Sequence, residues 1–262
     1  MNQFQIGYIE SIRRYELEKV LSIMCEEKGV NSNIKILEIG AGAGWQAKKM
    51  SECGYSVEAI DIAKSNYLEQ RVWTVKNYDG KNIPFADYSF DVVFSSSVLE
   101  HIYNSQEFQQ EIKRVLKKDG IAIHVVPGTA WRFWTSMTHY PFLIKEIGTL
   151  TCRMIFSSHT NHPNKDTVES KQITKKELFK RTVIPCRHGE RGNSFSELYY
   201  FSKKYWSSLF ENTEWKIKKI YQNELFYTGH MFLGVLLSIS ARKHLSLLIG
   251  SVCHIFLLVK NE

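Results

Sequence analysis

No CxxC pair occurs in this sequence. Its five cysteines, Cys25, Cys53, Cys152, Cys186 and Cys253, stand singly along 262 residues. Neither a cysteine zinc site nor a disulfide framework is therefore expected, and no metal site is read from the sequence. The first ten residues are polar and lack an apolar h-region, so no secretory signal is expected. No uninterrupted apolar run approaches the about 20 residues of a membrane-spanning helix. Internal repeats and low-complexity linkers are also missing. What is left is an ordinary globular composition, 44% hydrophobic and 23% charged, with the cytoplasm as the expected compartment.

Charge is unevenly spread. Residues 1–127 carry 15 Lys+Arg against 17 Asp+Glu, whereas residues 128–262 carry 19 against 10. The whole net charge of +7 thus comes from the second half. Such asymmetry suits either a solvated basic face or a surface for phosphates, nucleic acid or anionic lipid.

Hydrophobic periodicity divides the chain. Residues 9–25 space apolar side chains at helical intervals, and residues 45–53 read as a second helix. Strands are predicted over 34–39, 56–60, 71–75, 90–95 and 121–126, with helical stretches between 98 and 117. This alternation predicts a mostly parallel sheet covered on both faces. After Gly128 the rhythm breaks. Residues 129–195 are aromatic and basic, with one clear helical stretch at 174–181, and read as an insertion over the carboxyl ends of the strands. A helix at 201–210, a strand at 215–221 and a final strand at 252–260 follow. The segment 228–250 between those strands reads as a helical excursion. The expected organisation is a core over 1–128, an acceptor-binding cap over 129–200 and a C-terminal part, 201–262, that completes the sheet.

The strongest local pattern is Glu38-Ile39-Gly40-Ala41-Gly42-Ala43-Gly44 at the end of the first strand. Closely spaced glycines after a strand let backbone approach a ligand at the carboxyl edge of a sheet. Trp45 occupies the position that would complete GxGxxG, which argues against a dinucleotide fingerprint. Asp61 ends the second strand, where a carboxylate can accept hydrogen bonds from ribose hydroxyls. Asp79, past the third strand, could reach an adenine amino group. Ile83-Pro84-Phe85, Phe90-Asp91-Val92-Val93 and Leu99-Glu100-His101 complete the series.

In that order these motifs resemble the class I S-adenosylmethionine-dependent methyltransferases, specifically the type 11 methyltransferase domain, over residues 34–127. The resemblance implies a Rossmann-like α/β fold with a seven-stranded, mostly parallel sheet and helices on both faces. It also implies a last strand that runs antiparallel between strands five and six. S-adenosyl-L-methionine is the implied cofactor, with Glu38, Gly40, Gly42, Gly44, Asp61, Ile62, Asp79, Gly80 and Ser96 as contacts. Asp87 and Asp91 are expected to be turn and strand-edge residues. The region after Gly128 is only loosely similar to methyltransferases of bacterial surface-glycan pathways.

A sulfonium methyl is already electrophilic, so the residues must align a nucleophile and exclude water. An alcohol acceptor also needs a general base. His101, just past strand four, is the first candidate, with a helix-capping or core role as its alternative. His188 is the second. It lies in Arg187-His188-Gly189-Glu190-Arg191-Gly192-Asn193-Ser194, a segment that could bend around an anion or be a plain surface loop. His124 reads as a core residue. The aromatics Trp131, Phe133, Trp134, Tyr140 and Phe142 suit either an acceptor pocket or core.

The expected function is methyl transfer to a small or lipid-linked anionic acceptor, such as a sugar hydroxyl, with peripheral membrane contact through Arg242, Lys243 and His244. Nucleic-acid methylation ranks lower, since no RNA-binding module and no Asn-Pro-Pro-Tyr motif is present. A non-catalytic cofactor-binding protein is the third reading. No oligomeric state is implied.

Overall fold

A computed structural model describes residues 3–65, 67–156, 185–229 and 234–261. The strands are β1 (Lys35–Ile39), β2 (Ser56–Ile62), β3 (Lys76–Tyr78), β4 (Phe90–Ser96), β5 (Leu116–Pro127), β6 (Trp215–Gln222) and β7 (Cys253–Lys260). They form one seven-stranded sheet in the order β3-β2-β1-β4-β5-β7-β6. β7 runs antiparallel to both β5 and β6, and the other pairings are parallel. The fold class is the predicted one, and the final strand lies between its fifth and sixth partners.

Burial explains the sheet. β1 and β4 carry Ile36, Leu37, Ile39, Val92, Val93 and Phe94 on both faces, all fully buried, as strands covered by helices on both sides require. The helices are α1 (Gln3–Lys28), α2 (Trp45–Glu52), α3 (Ser105–Val115), α4 (Thr129–Phe156), α5 (Glu197–Tyr200), α6 (Lys203–Asn212) and α7 (Ile239–Ile249). Leu17, Val20 and Met24 of α1 and Phe108, Ile112 and Val115 of α3 join the same core as the strands.

Three predictions need correction. The third strand is not at 71–75 but at Lys76–Tyr78. Val72 N–H instead donates to the Ala43 carbonyl at 2.8 Å, and Val75 packs with Ala47 and Ala59. That stretch braces the glycine loop, so its backbone is unavailable to the sheet. Second, residues 129–156 form one long helix with Pro141 inside it. The proline and the mixed aromatic and basic pattern hide its period. The predicted helix at 174–181 lies outside the described residues, as does much of the predicted cap. Third, Arg242 is not a surface cation. It is buried and donates to the carbonyls of Leu237, Phe226 and Gly234, which ties α7 to the chain before it. Among the described residues no helix is long and apolar enough to cross a membrane.

Candidate active site

Strand order reverses between β1 and β4, each a neighbour of the other but joined in sequence to opposite halves of the sheet. Ligands of open α/β sheets bind at that switch point, outside the carboxyl ends of the strands. The glycine loop follows β1 there. Gly40, Gly42 and Gly44 all have positive φ, a region costly for other residues. A Cβ on Gly40 would lie 2.3 Å from Val98 Cγ2, and one on Gly44 2.7 Å from Trp73 Cβ. These two glycines are therefore required by the protein's own packing as well as by any ligand.

Asp61, at the end of β2, accepts from Gly42 N–H at 3.0 Å and from Ile62 N–H at 2.8 Å. Its first task is to hold the glycine loop, yet a carboxylate has about four acceptor sites, which leaves capacity for hydroxyl donors. Asp79 accepts from Lys81 N–H, Asn82 N–H and the Asn82 side chain. It folds its own loop, and those bonds lower its pKa. Ile62 is an exposed apolar side chain against which a Cβ on Gly80 would stand at 3.3 Å. Ser96 Oγ accepts from Arg13 Nη1 at 3.4 Å. Asp87 pairs with Arg114 and Asp91 with Lys117, both at 2.8 Å. Both are structural, as expected.

Glu38 sits under the glycine loop. It is 1% exposed, and its Oε2 has no hydrogen-bond partner among the described residues. Burial raises its pKa to about 8 against the Ala47 N–H that it accepts, with the Asp61 charge adding to the rise. An orphaned carboxylate at the floor of a glycine cradle fits the cationic amino-acid end of S-adenosylmethionine, just as Asp61 fits its ribose.

The second cluster lies past β4. Ser97, with φ 55, turns the chain out of the strand, and Leu99–His101 form a single 3-10 turn. That turn aims Glu100 inward and His101 outward. Glu100 is 2% exposed, and its Oε1 lies 4.0 Å from both His101 Nε2 and His188 Nε2. The two imidazole rings are 5.0 Å apart. The structure thus brings together both histidines singled out from the sequence. Trp131 packs 4.6 Å from the His188 ring, and Phe201 stands behind it at 6.3 Å. Burial pulls the His101 pKa down, with the Glu190 charge opposing. Burial and then the charges of His101, Arg132 and Arg13 bring His188 to about 4. Burial raises Glu100 to about 7.

The loop that delivers His188 grips an anion, but the anion is the protein's own. His188 N–H and Gly189 N–H both donate to Glu197 Oε1 at 2.7 Å. Buried Arg132 pairs with Glu197 Oε2 at 3.0 Å and donates to the Ser194 and Cys186 carbonyls. The arginines of the loop are also engaged, Arg187 with Glu190 and Arg191 with the Ile102 carbonyl. Glu190 N–H donates to the Glu100 carbonyl at 2.9 Å, so the loop is fixed directly on the 3-10 turn. Glu100, Arg132 and Glu197 build this cluster and its supports, and sequence reasoning did not single them out. Only the apposition of Glu100 to His101 in the motif hinted at any of them. His124 is buried, with Nδ1 2.8 Å from Ser95 Oγ, and is a core residue.

A glycine loop after β1, a carboxylate at the end of β2 and an antiparallel β7 inside the sheet define the fold of the class I S-adenosylmethionine-dependent methyltransferases. Residues 37–124 match the methyltransferase domain family known as Methyltransf_11; S-adenosylmethionine is the cofactor of that domain. A ubiquinone biosynthesis O-methyltransferase of Rickettsia prowazekii is 29% identical over 128 residues, 45% of this chain and 50% of that one. A demethylmenaquinone methyltransferase of Tropheryma whipplei is 30% identical over 37% of this chain and 43% of that one. The chain thus spans about half the length of the curated relatives it matches. A solved S-adenosylmethionine-dependent methyltransferase from Aquifex aeolicus shares the fold at a TM-score of 0.50 and 15% identity, over 94% of this chain and 91% of that one.

Proposed function

We propose that the protein methylates a hydroxyl of a small or lipid-linked acceptor that carries negative charge. The observation that carries this reading is the convergence of Glu100, His101 and His188 beside the glycine loop. S-adenosylmethionine, when bound, supplies an electrophilic methyl group. The residues must then bind the acceptor, exclude water and take a proton from its oxygen. Burial lowers the pKa of both His101 and His188, which favours the uncharged imidazole, the form whose lone pair accepts that proton. Trp131 and the loop of residues 186–194 wall the cluster on one side. The excess of basic residues after position 127 supports an anionic acceptor. The O-methyltransferase among the relatives supports oxygen as the atom methylated. A sugar hydroxyl and a phenolic hydroxyl are both within this class.

The test is turnover against fractionated lipid, glycan and phenol pools, with cofactor affinity measured separately by calorimetry. His101→Ala should lower kcat by ~10²–10⁴-fold while cofactor affinity stays within about twofold. His188→Ala should act in the same direction. Near-wild-type turnover in both variants would remove the cluster from the reaction.

A further inference from the structure

We propose that Glu100, His101 and His188 form a binding site for one divalent transition-metal ion of the zinc, cobalt or manganese class. The proposal deepens the reading of the same site and rests on it only for the place where an acceptor oxygen arrives; with an ion bound, both Nε2 lone pairs are ligands, and the ion rather than an imidazole would lower the pKa of the acceptor hydroxyl.

Geometry is the first argument. One ligand atom from each residue lies within 4.8 Å of the others, and Glu100 Oε1 is 4.0 Å from each imidazole Nε2. Ligands about 2.0–2.2 Å from a tetrahedral ion stand roughly 3.4 Å apart. Closing the shell therefore asks each imidazole to approach Glu100 Oε1 by about 0.6 Å and the ligand atoms furthest apart to close by up to about 1.4 Å. Both imidazoles have room to do so, since their side chains are 42% and 40% exposed.

The second argument is independent. Glu100 Oε2 is buried and has no hydrogen-bond partner among the described residues. A buried carboxylate oxygen without a donor is costly, and an ion is one of the features that account for such a group. The histidines do not compensate it, since each Nε2 stands 4.0 Å from the other oxygen, Oε1, beyond hydrogen-bond reach. An ion held through Oε1 compensates the charge of the buried carboxylate as a whole.

The surroundings are prepared for such an ion. The nearby cations would repel it, but Arg13 is paired with Glu16 and Arg132 with Glu197, each at 3.0 Å. Glu197 also pins the backbone of His188, so the loop ligand is supported from behind as metal ligands commonly are. Two imidazole nitrogens and one carboxylate oxygen suit zinc, cobalt, nickel, manganese or iron, whereas calcium and magnesium prefer all-oxygen shells. Three protein ligands leave the exposed side of the ion open, as sites that admit an oxygen ligand do.

The experiment uses the full chain, dialysed against a chelator and free of cofactor and acceptor. It is titrated with ZnCl2 by calorimetry and with CoCl2 by visible absorption. One ion per chain should bind with micromolar or tighter affinity, and Co2+ should give visible bands of a low-coordinate nitrogen and oxygen site. Glu100→Gln, His101→Ala and His188→Ala should each weaken binding by at least tenfold and abolish those bands. Circular dichroism checks the fold of each, and should Glu100→Gln unfold, the two histidine variants carry the test. No 1:1 binding in the wild type, or binding unchanged in the variants, overturns the metal site. Methyl transfer by a chain that binds no metal would leave the proposed function standing and remove only this inference. Metal binding without transfer to any hydroxyl acceptor would do the reverse.

Discussion

The two sides of the cleft are built on opposite principles. On the cofactor side, the groups that count lie on consecutive strand ends, and each is held by neighbours close in the sheet. Asp61 holds Gly42 across the β1–β2 pair. On the side proposed for the acceptor, His101 and His188 are 87 positions apart in the numbering, and a buried ion pair between a helix start and α5 sets the second of them. The first side is a motif, and the second is an assembly. The lesson is that the acceptor side should fail through its supports and the cofactor side through its contacts.

Removing Glu197 is the most damaging test of that contrast. Glu197→Ala leaves Arg132 charged and buried and strips the acceptor from His188 and Gly189 N–H. Breaking a buried pair on one side costs ~3–5 kcal/mol, so urea denaturation should show a loss of that size along with lost turnover. Replacing both partners by apolar residues, Arg132→Met with Glu197→Leu, should recover much of the stability but little of the turnover. A Glu197→Ala protein of wild-type stability would erase the distinction between the two sides.

Asp61→Ala should do the opposite. Hydrogen bonds to a charged acceptor contribute ~1.5–3 kcal/mol each, so cofactor affinity should fall by tenfold or more in a calorimetric titration. The protein should remain cooperatively folded, because Asp61 is only partly buried. Unchanged affinity would detach the carboxylate from the cofactor.

A pH effect comes from the core between the two sides. Burial lowers the His124 pKa to about 3, from an ordinary 6.5. The folded state then binds fewer protons than the unfolded state across that window. Stability from this group is complete above pH 6.5 and declines as pH falls, by ~1.4 kcal/mol per unit at most. His124→Gln should flatten the slope of denaturation midpoint against pH between 6.5 and 4. An unaltered slope would assign the acid sensitivity to other groups. The smallest effect is expected at Leu248, which is 81% exposed on α7. Leu248→Ser should change stability by less than ~0.5 kcal/mol, and a larger loss would mean that something covers that face.

The same contrast explains what was legible in the sequence. Strand ends and glycines announce themselves because period and residue type are local properties, so β1, β2, β4, β6 and β7 fall close to their predicted spans. β3 was misplaced because Val72 spends its N–H on Ala43 rather than on the sheet, a choice invisible to periodicity. His101 and His188 could each be picked out as chemically notable, but nothing in the chain between them says that they meet. Glu197 reads as one more helix-start acid until the two N–H groups above it are seen. Arg242 looked like a surface cation because it heads the run Arg242-Lys243-His244 that interrupts an apolar stretch, yet three carbonyls claim it.

β7 carries a consequence for the birth of the molecule. It is the last strand in chain order, yet it closes the interior of the sheet between β5 and β6. Until residues 253–260 have left the ribosome, β5 must wait with an open edge along Ile121, Ala122, Ile123, Val125 and Val126, all buried in the finished protein. An unpaired apolar edge is an invitation to another chain. A nascent molecule of this design is thus exposed to aggregation until β7 has been made.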